Sequence, residues 1–194
     1  MQTVNPFAPR IVQSVDPRGK DFLTLAEVNR LLDATKHSRN RVRDRAILLT
    51  MFRHGLRVSE LCGLKRKDLD LNTARLYVRR LKGSVSTEQP VEGDELRAIK
   101  RYLATRTDNL PWLFVSERDG QLSRFTVTYM VRTAAAHAGL ENVHPHTLRH
   151  SCGFYLANKG LDTRLIQDYL GHKSISNTVR YTRTAAVRFE GLWS

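Results

Sequence analysis

Thiols are scarce in this chain: its 194 residues include two cysteines, Cys62 and Cys152, with neither the density of a disulfide framework nor the spacing of a zinc site. Both are expected as core thiols in a reducing cytoplasm. No apolar stretch approaches the roughly 18 residues of a membrane span, and the opening segment MQTVNPFAPRIVQSVDPRGK has no h-region of the secretory kind. Neither membrane insertion nor export is expected. Internal repeats and low-complexity tracts are also missing. Acidic residues are outnumbered, 19 Asp plus Glu against 32 Lys plus Arg, for a net charge of +13 and a pI of about 10.3. A pI above roughly 9 is an electrostatic footprint for phosphates, so a polyanion is the expected partner. Charge alone also describes a protein that is merely basic for solubility, and it names no reaction.

A chain of this length buries roughly two thirds or more of its unfolded surface without help from disulfides or metal, so a single domain is the default. Residues 1–20 hold Pro6, Pro9, Pro17 and Gly19 among scattered charges and read as an irregular, basic arm. From Thr24 the pattern changes. Thr24 and Glu27 form a capping box, and Leu25, Val28, Leu31 and Leu32 give a helical apolar stripe to about residue 36. A second helix is expected over 41–54, with Val42, Ala46, Leu49 and Phe52 on one face and arginines opposite, ended by Gly55. A short third follows from Val58 to Leu64. Residues Arg75–Leu81 alternate as a strand, Lys82-Gly83-Ser84 reads as a turn, and Val85–Val91 returns antiparallel. Further helices are expected at 92–105, 123–138, 146–158, 162–170 and 175–182. The fold class is therefore mostly α with a small antiparallel β-hairpin.

Six residues can be read as one phosphodiester-cleaving site: Arg57, Lys82, His146, Arg149, His172 and Tyr181. Five can donate hydrogen bonds while cationic, and the sixth is a phenol able to attack. Phosphodiester cleavage concentrates negative charge on oxygens, which such donors stabilise. In HPHTLRHSCGF (144–154), helical spacing puts His146, Arg149 and His150 on one face. A metal reading of His144, His146 and His150 has no carboxylate at the HExxH position to complete it. In LGHKSISNTVRYT (170–182), His172 and Tyr181 are nine residues apart and lie on opposite faces of any continuous helix. They can meet only around a bend, which Gly171 and Ser174 offer. Glu60 stands three places after Arg57, close enough to hold its guanidinium.

In order and spacing, RHGLRVSEL (53–61), the Lys82-Gly83 turn, HPHTLRH (144–150), LGH (170–172) and Tyr181 resemble the signature boxes of the tyrosine site-specific recombinases. The resemblance covers residues 21–194, which would be the catalytic domain. Within that family, HSCGFYLANKGLDTRLIQDYLGH is most similar to the short recombinases that invert fimbrial promoter elements in enteric bacteria. The resemblance implies that Tyr181 attacks the scissile phosphate to give a 3′-phosphotyrosyl link and a free 5′-hydroxyl, conserving bond energy without ATP, metal or any other cofactor. It implies that Arg57 and Arg149 grip the non-bridging oxygens with forked donors. His172 would add a hydrogen bond, Lys82 would protonate the departing 5′-oxygen, and His146 would assist proton transfer near the nucleophile. Glu60 would stand behind them. A free tyrosine has a pKa of about 10, so about one in a thousand is phenolate at neutral pH and cationic neighbours are needed.

The implied partners are double-stranded DNA bearing inverted repeats and other copies of the chain, as a homotetramer on DNA in the bacterial nucleoid. Many family members carry a separate N-terminal clamp domain, whereas about 20 residues precede the resemblance here. Its work would fall to the basic arm, to contacts between protomers or to a DNA-bending accessory protein. After Tyr181 a tail with Val187, Phe189, Leu192 and Trp193 either docks on a neighbouring protomer or packs on its own core. Two other readings remain at this point. Residues 162–180 also read as helix, turn, helix with a basic second helix, the pattern of a non-catalytic transcriptional regulator. That reading leaves the separated arginines, Lys82 and Tyr181 without a reason. A topoisomerase using the same chemistry needs no paired sites.

Overall fold

The computed structural model describes residues 21–81, 84–183 and 185. The N-terminal arm, the Lys82-Gly83 turn and the tail over 187–194 lie outside the described residues. Among the described residues, eight α-helices and three short strands run in the order α1 (Leu25–Ala34), α2 (Arg41–Arg53), α3 (Val58–Gly63), β1 (Leu69–Asp70), β2 (Arg75–Val78), β3 (Thr87–Pro90), α4 (Gly93–Leu103), α5 (Arg124–His137), α6 (Pro145–Asn158), α7 (Thr163–Leu170) and α8 (Ser176–Thr182). The mostly α class with a small antiparallel sheet is what the sequence predicts. No described helix is long and apolar enough to cross a membrane.

The start of α1 follows its sequence signal. Glu27 Oε2 accepts from the Thr24 amide at 2.7 Å, and Thr24 Oγ1 accepts from the Glu27 amide at 3.3 Å, so two of the helix's orphan donors are satisfied reciprocally. Val28, Leu31 and Leu32 of the expected stripe face inward, whereas Leu25, in the first turn, is exposed. The second helix departs from expectation. Instead of one apolar face, α2 is buried continuously from Ala46 to Phe52, and Val42 is only half-buried. It packs against α1, α4 and α6 at once, and a helix enclosed on all sides has no solvent face for arginines. Its charged residues sit in the first turns and at the end.

The sheet also differs in detail. Its order is β1-β2-β3, all antiparallel, with Leu69 opposite Leu76 and Leu76 opposite Gln89. The expected hairpin is present, but its ladder ends at Val78 opposite Thr87, because the Arg80 amide donates to Ser86 Oγ at 3.2 Å instead of to backbone. The added strand, β1, has two residues, too few to show an alternating pattern. Cys62 and Cys152 are buried free thiols, as expected.

Candidate active site

The site is assembled where the α2–α3 turn, the end of β2, α6 and the α7–α8 bend meet. Arg57 occupies the N-cap of α3. Its amide donates to Glu60 Oε2 at 2.9 Å and its Nη1 to Glu60 Oε1 at 2.6 Å. The pairing foreseen from the three-residue spacing is thus made through both backbone and side chain. Glu60 is buried and also accepts from Arg80 Nη1 at 3.0 Å. Burial pushes its carboxyl up, but the Arg57 amide, the Arg80 charge and the Arg57 side chain outweigh that and hold it below its ordinary value.

Arg149 comes from the buried face of α6. Its Nη1 donates to the Gly55 carbonyl and its Nη2 to the Leu170 carbonyl at 2.7 Å. One guanidinium therefore ties the α2–α3 turn to the end of α7. Its pKa falls to about 10, first through burial and then through the nearby charges of Arg57 and Arg80. His172 sits in the bend anticipated at Gly171. Gly171 has φ +64° and caps α7 in the left-handed region, where a residue without Cβ is least strained. His172 Nδ1 lies 2.8 Å from Thr178 Oγ1. Burial, then the charges of Arg149, Arg57 and Arg80, push the imidazole down to about 3, so it is neutral at pH 7.

Tyr181 meets these residues from α8. Its ring centroid is 6.1 Å from that of His172 and 5.1 Å from that of Phe154, edge-on to the latter. The ring lies directly over Gly153, where a Cβ would come within 2.5 Å of Tyr181 Cε2. Only glycine admits this approach. The hydroxyl lies 2.9 Å from His150 Nδ1, and Tyr181 is 1% exposed. Burial raises the phenol to about 12, against the lowering charges of Arg149 and Arg180. It is protonated and enclosed in this state, with Arg149 as its largest electrostatic support.

His146 shares the α6 turn but is exposed. Burial of part of its ring, then His144, Arg149 and Arg57, lowers its pKa. The sequence predicts cationic histidines, whereas His146 and His172 both titrate below the ordinary histidine value, first through burial and then through neighbouring charges, arginines among them. A neutral imidazole still donates one hydrogen bond. Lys82 lies outside the described residues. The α7-bend-α8 segment does form helix, turn and helix, with α8 turning Thr178, Tyr181 and Thr182 into the interior and leaving Ser176, Asn177 and Arg180 exposed.

Sequence reasoning missed Arg80 and the partner of His150. Arg80 carried a readable signal: it has the same parity as Leu76 and Val78, both on the buried face of the strand, so alternation aims it inward. His150 was placed on the right face of α6, but its contact with Tyr181 spans 31 residues of sequence and leaves no local trace.

Residues 21–188 match the phage integrase family. The type 1 fimbriae regulatory protein FimB of Escherichia coli K12 is 43% identical over 183 residues, covering 92% of each chain. Among solved structures, the XerA recombinase matches with a TM-score of 0.76 and 31% identity, over 87% of this chain and 62% of that one. The XerH site-specific recombinase, bound to its palindromic difH substrate after cleavage, matches with a TM-score of 0.75 and 25% identity, over 87% of this chain and 51% of that one. The chain thus spans about three-fifths or less of these two recombinase structures and nearly all of the fimbrial regulator.

Proposed function

The chain belongs to the phage integrase family and is a tyrosine recombinase that acts on DNA, and we propose that it cleaves and rejoins strands through Arg57, Lys82, His146, Arg149, His172 and Tyr181. The observation that carries this reading is Arg149: its guanidinium is fixed to the Gly55 and Leu170 carbonyls and is the leading charge favouring a Tyr181 phenolate. Tyr181 Oη attacks the scissile phosphorus, the bond to the 5′-oxygen breaks, and a 3′-phosphotyrosyl link and a 5′-hydroxyl result. The phenol proton leaves toward a neighbouring imidazole, with His146 assisting. Lys82 protonates the 5′-oxygen. Arg57 and Arg149 bind the non-bridging oxygens, where charge builds up, and His172 donates from Nε2 while Nδ1 accepts from the Thr178 hydroxyl. Removing one such donor costs about 10² to 10³ in rate.

In this state the phenol is enclosed, so attack requires α8 to carry Tyr181 away from His150 toward the phosphate. The helix has seven residues, a short body for such a shift. On this reading residues 1–20 form a basic arm and 21–194 the catalytic domain. The DNA is a pair of inverted repeats, the assembly on it is a homotetramer, and DNA-bending proteins assist, in the cytoplasm at the nucleoid. Likeness to a fimbriae regulatory protein over 92% of its length supports inversion of a fimbrial promoter element, hence phase variation, as the outcome.

Incubation with nicked suicide duplexes, followed by denaturing electrophoresis, tests the chemistry. A covalent protein–DNA adduct is expected with the wild type and none with Tyr181→Phe. An adduct that persists in Tyr181→Phe would overturn the assignment of the nucleophile. Binding should also weaken with salt at a log-log slope of about −0.9 per phosphate neutralised, as for any DNA-binding protein.

A further inference from the structure

Arg80 has no part in the chemistry described so far, yet its side chain is fully enclosed, with 0% exposure. It enters the site from behind. Its Nη1 donates to Glu60 Oε2 at 3.0 Å, and its Nη2 donates to the His54 carbonyl at 2.9 Å and to the Tyr169 carbonyl. It passes beneath the α7–α8 bend so closely that a Cβ at Gly171 would lie 2.8 Å from Arg80 Cγ. Behind it the His54 ring is sealed in as well, 2.7 Å from Gln89 Oε1 and 3.1 Å from Glu95 Oε1. A buried guanidinium is tolerated when its charge is paired and its nitrogens are hydrogen-bonded; here both Nη atoms are bonded, while Nε has no hydrogen-bond partner. Its Nη donors go to Glu60, the carboxylate that holds Arg57, and to backbone carbonyls at the end of α2 and in α7.

Charge gives the second part of the argument. Arg57 and Glu60 together are formally neutral, and a neutral pair is a poor clamp for an anion. With Arg80 on the other carboxylate oxygen, the trio carries a formal single positive charge, and Arg57, the member with its side chain 26% exposed, is the one that can meet a ligand. We infer that Arg80 is a positioning residue for strand cleavage: it balances Glu60 from behind so that Arg57 faces the scissile phosphate in one orientation with its charge uncancelled. The inference rests on the reading of Arg57 as a phosphate clamp. Cleaving a charged phosphodiester should then require Arg80 far more than cleaving an uncharged analogue does.

The test uses the full chain and two nicked duplexes that differ at the cleavage position, first mapped from the Tyr181 adduct. One carries the ordinary phosphodiester and the other a methylphosphonate, in which a methyl group replaces one non-bridging oxygen and removes the negative charge. For Arg80→Met, cleavage of the phosphodiester is expected to fall by about 10²-fold, and cleavage of the methylphosphonate to stay within about tenfold of the wild-type rate on that substrate. Equal losses on both substrates, or no loss on the phosphodiester, would overturn the inference. Because Arg80→Met leaves a buried carboxylate half-paired and endangers folding, the double variant Arg80→Met/Glu60→Gln is the second arm. It removes both charges, keeps a carbonyl oxygen for Arg57, and leaves Arg57 alone to supply the positive charge. It is expected to melt cooperatively and to cleave the phosphodiester within about tenfold of wild type. A folded double variant inactive on that substrate, or failure of both variants to fold, would reduce Arg80 to a purely structural residue and overturn the inference. Arg57→Ala on the same two duplexes separates the premise from the inference: normal phosphodiester cleavage by that variant removes the clamp reading itself.

Discussion

The two halves of the site are held by different kinds of bond. On the arginine side, Arg57, Arg80 and Arg149 are fastened by charge-assisted hydrogen bonds to Glu60 and to the carbonyls of His54, Gly55 and Leu170. On the tyrosine side, Tyr181 is held by one hydrogen bond to a neutral His150, by edge-on packing against Phe154 and by contact with Gly153. Bonds to ionised groups are roughly twice as strong as neutral ones. On the proposed reading the phosphate-binding half is thus fixed by ionic bonds, while the half that moves is held by packing and one neutral hydrogen bond. This division fits a reaction in which electrostatic stabilisation needs preorganisation and the nucleophile needs travel.

Four measurements would break or sharpen that contrast. The largest effect is expected for Arg149→Ala, which should lower strand cleavage by about 10² to 10³ while leaving much of the DNA affinity in a gel-shift assay, since it is one of 32 Lys plus Arg in the chain. Near-normal recombination would show that the arginine side is not what stabilises the transition state. The melting temperature of Arg149→Ala should fall as well, because the Gly55 and Leu170 carbonyls lose their donor.

Next comes Gly153→Ala, which tests how firmly the tyrosine side is packed. A Cβ there would lie 2.5 Å from the Tyr181 ring, and overpacking of this kind costs about 1 to 3 kcal/mol, read by urea denaturation. A variant as stable as wild type would mean that α8 shifts freely, making the tyrosine side looser still.

A third effect is expected from pH. His172 and His150 titrate at about 3 and about 4 in the folded protein, both chiefly through burial, against about 6.5 in an unfolded chain. Between those values the unfolded state binds more protons, so the stability present above about pH 6.5 is lost progressively as pH falls toward 4. Melting curves from pH 7 to pH 4 should show this slope, and His172→Asn should flatten it. An unchanged slope would place the acid sensitivity elsewhere.

Smallest of all, Thr24→Ala removes the α1 cap and should cost about 1 kcal/mol with cleavage per folded molecule unchanged. A loss of cleavage beyond that would connect α1 to the site.

Much of this was legible in the sequence because it depends on local periodicity. The capping box at Thr24 and Glu27, the helices from α3 to α8 within a residue or two, the Arg57–Glu60 pairing and the need for a bend between His172 and Tyr181 all follow from spacings of a few residues. The α2 burial pattern was misread because an apolar run shows what can be buried, and its neighbours decide on how many sides it is. The strand β1 escaped because two residues carry no period.

What the sequence by itself determined was the chemical inventory: a basic chain with arginines, histidines and Tyr181 in a recognisable order, and the helical frame that presents them. Only the tertiary structure decided which groups are charged and which are free to act. Burial, with arginines close by, depresses the imidazoles, a glycine lets an aromatic ring settle on a helix, and Arg80 turns inward to a carboxylate 20 residues away in the chain. Such effects depend on distance through space and on exclusion of water, and neither is written in the order of the residues.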